Sequence, residues 1–142
     1  MLFARFLTYT GLVKTVSSYM ISLDMAPIAY LLAFALMFLI LGMLLEPIAI
    51  MVMTLPVMYP VMISAGYDPI WLGVIVIKMC EISLITPPMG LNVFVVRSSS
   101  PVPLRLEEVF VGVMPFIFME LGVLTLLILV PEIVTFLPNL IR

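Results

Sequence analysis

The sequence contains no histidine and only one cysteine, Cys80. A lone thiol excludes a disulfide within the chain. The lack of imidazole excludes a histidine metal site and the usual nucleophile–base pairs of hydrolytic enzymes, so the chain is not read as an enzyme. Cys80 lies in an apolar run and reads as a buried, inert thiol. Charge is scarce as well. Six Lys and Arg and eight Asp and Glu make up 10% of the 142 residues, against about 25% in an ordinary soluble domain. No basic cluster is present, so nucleic acid is excluded as a partner. What fills the chain is apolar: 65% of residues are hydrophobic and the mean hydropathy is +1.36. An all-α integral membrane protein in contact with lipid along most of its length follows. The opening MLFARFLTYTGLVK has Arg5 and Lys14 but no cleavage site after a compact apolar core. It reads as the continuation of a longer chain rather than as a secretory signal.

Residues 1–25 carry hydroxyls and two cations among apolar residues. They predict a connecting helix, either whole or in two pieces joined near Gly11, partly at the interface. Asp24 is placed to cap the next helix. From Pro27 to Leu41 the sequence is continuously apolar for 15 residues, roughly 22 Å of helix and short of a ~30 Å hydrocarbon core. Glu46-Pro47 follows without a polar linker, and a second apolar run, with Pro56 and Pro60, extends to Gly66. Two reversed spans are one reading of residues 26–66. The other is a re-entrant helical hairpin with its tip at GMLLEP, residues 42–47. Such a tip survives in a membrane only under protein cover or beside a cavity.

The GYDP sequence at 66–69 predicts a turn, with Gly66 closing one helix and Pro69 opening the next. Residues 67–97 are one span's length, interrupted by Thr86-Pro87-Pro88-Met89-Gly90. Residues 98–112 form a linker and a short amphipathic helix, and 113–142 a final transmembrane helix. Arg97 and Arg105 flank the 98–110 loop, whereas the 66–69 turn carries only Asp68. The positive-inside bias therefore places that loop in the cytoplasm.

Ionisable groups in a membrane are costly, and each has to be accounted for. Lys78 and Glu81 are three residues apart and share a helix face, where they neutralise each other. Glu120 and Glu132 are assigned to the membrane interface. Glu46 stands alone at the hairpin tip, either shaping it or reaching the headgroups. Pro56 and Pro60 read as simple bends. The TPPMG break differs, because Pro87 and Pro88 lack N–H groups and leave carbonyls of the preceding turn without donors. Freed carbonyls are hard oxygen ligands suited to Na⁺. The new helix start at Leu91–Asn92 turns N–H groups and a positive dipole end toward any anion. Secondary transporters use broken helices at mid-membrane in this way.

The run from Leu41 through EISLITPPMGLN to Val96 resembles the large membrane subunit of TRAP transporters (tripartite ATP-independent periplasmic transporters, DctM-like). The resemblance rests on Gly42 with an acid, Glu46, four residues on, the Pro56–Pro60 spacing, the G-x-D-P turn and E-I-x-L-I-T-P-P-M-G-L-N. It implies an elevator-type symporter built from two inverted repeats, each with a re-entrant hairpin and a broken transmembrane helix, of which this chain is the second. It also implies Na⁺ as coupling ion, with Gly42, Ser83, Thr86 and Met89 around it and Glu46 near the tip. An organic anion, such as a dicarboxylate, a keto acid or sialic acid, would meet Thr86, Pro88, Gly90 and Asn92. The implied partners are a small TRAP membrane subunit and a periplasmic solute-binding protein, in a bacterial inner membrane. The chain departs from the family pattern at Ser83, where Gly is usual, at Glu46, where Asp is commoner, and at Lys78, where Asn is frequent. A complete subunit of that family is much longer, so the chain is expected to be its C-terminal part. The alternative is a small membrane interaction or assembly protein with no transport of its own.

Overall fold

The computed structural model describes residues 9–23, 25–87 and 90–141, and these form seven helices without strands. Helix α1 is Leu12–Ser22, α2 Pro27–Gly42, α3 Pro47–Ser64, α4 Pro69–Ile85, α5 Leu91–Ser99, α6 Leu106–Leu129 and α7 Glu132–Ile141. Three of the starts are set by proline in the first turn, at Pro27, Pro47 and Pro69. There the missing N–H would have had no intrahelical partner and the fixed φ is already helical. Gly11, at φ 70°, introduces α1; residues 1–8, which would carry the first of two helical pieces, lie outside the described residues. Asp24 lies outside the described residues, and Ala26 occupies the N-cap of α2.

The helix α4 is the hub. It packs against α2, α3, α5, α6 and α7, while α1 lies on α3 and α2 pairs with α3. The core is built from Tyr30, Leu31, Phe34 and Phe38 of α2, Ile50, Met58, Val61 and Met62 of α3, and Trp71, Leu72, Ile75, Val76, Met79 and Cys80 of α4. Burial of Cys80 agrees with the inert-thiol reading. The Tyr30 hydroxyl donates to the Met20 carbonyl at 2.8 Å and accepts from the Met25 N–H at 3.2 Å, which ties down the corner between α1 and α2. The outward faces remain apolar: Leu32, Leu36 and Ile40 on α2 and Val111, Phe116, Phe118 and Leu129 on α6 are exposed. Helices α3 and α6 are long and apolar enough to cross a membrane, and α2 is shorter. At 16 residues, α2 is about 24 Å long.

Two expectations are corrected. Residues 106–113 are not a separate interfacial helix; they are the first two turns of α6, which runs unbroken through Pro115 to Leu129. Gly112 does not stop the helix at the junction of the two stretches, and Glu108 makes the carboxylate half of a capping box, accepting the Arg105 N–H at 2.9 Å. The final helix, in turn, ends early. Val130 and Pro131 divide it from α7, because Pro131 cannot donate to the Leu127 carbonyl. Pro56 and Pro60 do lie inside a continuous α3.

Candidate functional site

The site grows from the two interruptions of helix, the tip between α2 and α3 and the break between α4 and α5. At the tip, α2 ends at Gly42 and residues 43–46 turn the chain. The Met43 N–H still reaches the Leu39 carbonyl at 3.3 Å, and the Leu44 and Leu45 N–H groups crowd onto the Leu41 carbonyl at 3.0 and 2.8 Å. At the break, α4 ends at Ile85. The Ser83 carbonyl would pair with residue 87 in a continuing helix, but residue 87 is proline. It takes the Thr86 N–H at 3.3 Å instead. The Leu84 carbonyl loses its donor outright, since residue 88 is proline too.

The fold brings the two interruptions together. Gly42 is buried, and a Cβ on it would overlap the Cβ and Oγ of Ser83. Ser83 is fully buried, and its hydroxyl donates to the Cys80 carbonyl at 2.7 Å. That bond uses the hydroxyl's only proton and leaves its oxygen lone pairs for the side facing the tip. The C-terminal ends of α2 and α4 therefore converge, and both present the negative pole of a helix dipole. Such a place favours a cation with a preference for hard oxygen. Thr86 is partly buried and its Oγ1 donates to the Ile82 carbonyl at 2.6 Å.

On the other side of the break, Gly90 is buried, with φ 24° and ψ 82°. A Cβ there would lie 3.3 Å from the Leu84 and Thr86 carbonyl oxygens. The glycine thus keeps open the space in front of two carbonyls at the end of α4. Its own carbonyl accepts from the Val93 N–H at 2.8 Å, which starts α5. Asn92 is exposed in the first turn of α5. Pro88 and Met89 lie outside the described residues. Glu46 is exposed; its carboxylate does not cap α3, and its carbonyl accepts from the Ile50 N–H at 3.1 Å. The structure thus joins Gly42 to Ser83 and Thr86 to Gly90, and leaves the Glu46 carboxylate and Asn92 on the exposed side.

Sequence reasoning missed two contacts of α4. Lys78 meets Glu81, as expected, with Nζ 2.7 Å from Oε2. It also meets Glu120, which the sequence assigned to the interface, at 2.6 Å. Glu120 lies in the middle of α6 rather than near its end, because α6 begins eight residues before Met114. The Glu120 contact lacks the direction of a good hydrogen bond, and Oε2 is buried at an ion-pair distance only. The second missed contact is the Trp71 indole N–H, which donates to the Leu127 carbonyl at 2.8 Å. This is the carbonyl that Pro131 leaves without a partner. The four-residue spacing between Leu127 and Pro131 was the available signal.

With the geometry in place, the chain can be set beside known proteins. An all-helical chain with apolar outward faces and two helices long and apolar enough to cross a membrane is of the class expected for a membrane-embedded component. Residues 1–133 match the family described as Tripartite ATP-independent periplasmic transporter, DctM component, and the chain belongs to that family. It is 34% identical over 139 residues to the C4-dicarboxylate TRAP transporter large permease protein DctM of Pseudomonas aeruginosa, covering 98% of this chain and 32% of that protein. It is 32% identical over 116 residues to the sialic acid TRAP transporter permease protein SiaT of Haemophilus influenzae, covering 82% of the chain and 18% of the relative. A third relative, the isethionate TRAP transporter permease protein DctMQ of Oleidesulfovibrio alaskensis, is 31% identical over 135 residues, which are 95% of the chain and 21% of that protein. The chain spans about a third or less of the length of these relatives.

Proposed function

We propose that the chain supplies the C-terminal repeat of the permease subunit of a tripartite transporter, which couples uptake of an organic anion to Na⁺ across a bacterial inner membrane. In this reading α2, the tip and α3 are a re-entrant hairpin, and α4 and α5 are the halves of a broken transmembrane helix. Gly42, Ser83 and Thr86 hold the cation, chiefly through oxygen, and Met89, outside the described residues, is the further ligand that the family resemblance adds. The start of α5 at Gly90 and Asn92 faces the carboxylate together with Thr86 and Pro88. Relatives named for C4-dicarboxylates, sialic acid and isethionate support an organic anion as the class. A small membrane subunit and a periplasmic solute-binding protein complete the assembly.

The observation that carries the proposal is the contact of Gly42 with Ser83. It sets two helix C-termini against each other, one residue before Leu84, whose carbonyl would have paired with Pro88 in a continuing helix. An arrangement so costly in lipid makes sense where a cation offsets the unpaired oxygens. The test replaces the matching segment of the Pseudomonas aeruginosa relative with these 142 residues and reconstitutes the chimera in proteoliposomes with its partner subunits. Dicarboxylate uptake should require an inward Na⁺ gradient. Equal uptake in K⁺ alone refutes the coupling. A chimera that inserts and never transports with either ion supports the assembly reading instead.

A further inference from the structure

We infer that α6 is a splint across the broken helix, and that the Lys78–Glu120 ion pair is a positioning contact that fixes the two halves of the break relative to each other. The inference starts from what does not join those halves. Among the described residues, no backbone hydrogen bond crosses from α5 to α4, and the Val93 and Phe94 N–H groups return to Gly90. Pro87 and Pro88 remove the donors that would have bridged the gap. Among the described residues the placement of α5 against α4 then rests on packing, and α6 packs on both.

Two points fix α6 to α4. One is the Trp71 N–H on the Leu127 carbonyl at 2.8 Å, the other Lys78 against Glu120 at 2.6 Å. They are seven residues apart on both helices and run in opposite order, so the helices are antiparallel and two turns separate the contacts. A residue on α4 and its partner on α6 thus meet once and then again two turns on, which fixes translation and rotation together. A single contact would leave rotation about it free. Beyond Lys78, α4 continues toward Ser83 and Thr86, while α6 continues back past the break toward its packing on α5. Lys78 is the contact nearer the break. Its ammonium also holds Glu81 at 2.7 Å, so one cation stands between two carboxylates. In an apolar layer that arrangement resists displacement, because moving either helix takes the ammonium away from a buried carboxylate oxygen of Glu120 that has the ion pair and no hydrogen bond.

The proposal rests on the sodium-site reading for its transport readout alone; its geometric readout is independent. The full chain is reconstituted in lipid nanodiscs with Cys80→Ser, and spin labels are attached through Gly73→Cys on α4 and Val95→Cys on α5. Gly73 has open space around it and Val95 is exposed. Pulsed EPR should give one narrow distance distribution. Lys78→Met should broaden it, and the charge exchange Lys78→Glu with Glu120→Lys should restore it, since charges of opposite sign again face each other across α4 and α6. In the chimeric permease, Lys78→Met should raise the half-saturating Na⁺ concentration by about 10-fold to 100-fold, the range for losing a contact that orients ion ligands. The exchanged pair should return it. A merely stabilising role would reduce the amount of inserted protein and leave that concentration unmoved. An unchanged distance distribution in Lys78→Met overturns the splint. Should Lys78→Met fail to insert, Glu120→Gln, which keeps the volume and removes the charge, is read in the same way. Absence of any Na⁺ dependence in the unsubstituted chimera defeats the transport reading, while the spin-label distances still decide the splint.

Discussion

The two ends of α4 are built from the same material and to opposite effect. Each adjoins proline: Pro69 in the first turn, Pro87 and Pro88 just past the last. At the N-terminal end every backbone demand is met. The preceding helix closes with Gly66 at φ 92°, the Tyr67 N–H reaching the Met62 carbonyl at 3.1 Å and the Gly66 N–H the Ile63 carbonyl at 3.0 Å, the pattern of a Schellman motif. Asp68 Oδ1 then accepts from the Ile70 and Trp71 N–H groups at 2.8 and 3.0 Å. The Tyr67 ring stacks on Trp71 with centroids 5.0 Å apart. Burial of the Tyr67 phenol raises its pKa above the ordinary value. At the C-terminal end proline falls where donors are needed, and the Leu84 and Thr86 carbonyls face Gly90 instead of a next turn. One end folds the protein. The other leaves the last carbonyls of α4 without the next helical turn.

That contrast can be broken at either end, and the largest effect is expected at the convergence of tip and break. Gly42→Ala should disrupt the contact with Ser83 by overpacking, at about 1–3 kcal/mol, and Na⁺-driven uptake by the chimera should fall accordingly. Adding Ser83→Gly removes the obstructing side chain and should recover most of the uptake. Full activity of Gly42→Ala alone would mean that the tip does not close on α4. At the folding end, Trp71→Phe strips the Leu127 carbonyl of its donor and should destabilise the chain by about 1–3 kcal/mol, measured as a lower unfolding midpoint in detergent. Uptake by the molecules that remain folded should keep its ion dependence. Gly90→Ala sharpens the comparison from within the site. It forces an L-residue toward left-handed backbone at about 1–2 kcal/mol and crowds the Leu84 and Thr86 carbonyls, so the half-saturating Na⁺ concentration should rise more than thermal stability falls. The smallest effect belongs to Asp68→Ala. Loss of the cap should cost about 1 kcal/mol of stability and leave ion dependence unchanged; a shift in ion dependence there would erase the division between the two ends.

Much of the local structure was legible because it depends on single residues. Gly11, Gly66-Tyr67-Asp68-Pro69 and the TPPMG break each carry their own steric instruction, and the helices stop and start there. The Lys78–Glu81 pair was legible for the same reason, being three residues apart on one helix. Glu120 was misplaced because its position depends on where α6 begins, and that was misjudged. Residues 104–113 looked like a separate amphipathic piece when judged by polarity alone, yet nothing in them stops a helix.

By itself, the sequence determined that the chain is helical and apolar, and where its helices stop and start. These follow from composition, proline and glycine sterics and the spacing of polar groups. Only the tertiary structure decided that Gly42 touches Ser83, that Glu120 reaches Lys78 and that Trp71 supplies the proton Pro131 lacks. Those contacts join residues 41, 42 and 56 positions apart in the chain. No local preference encodes them; they arise when α4 is enclosed by its neighbours and each buried polar group must find a partner among whatever the packing brings near.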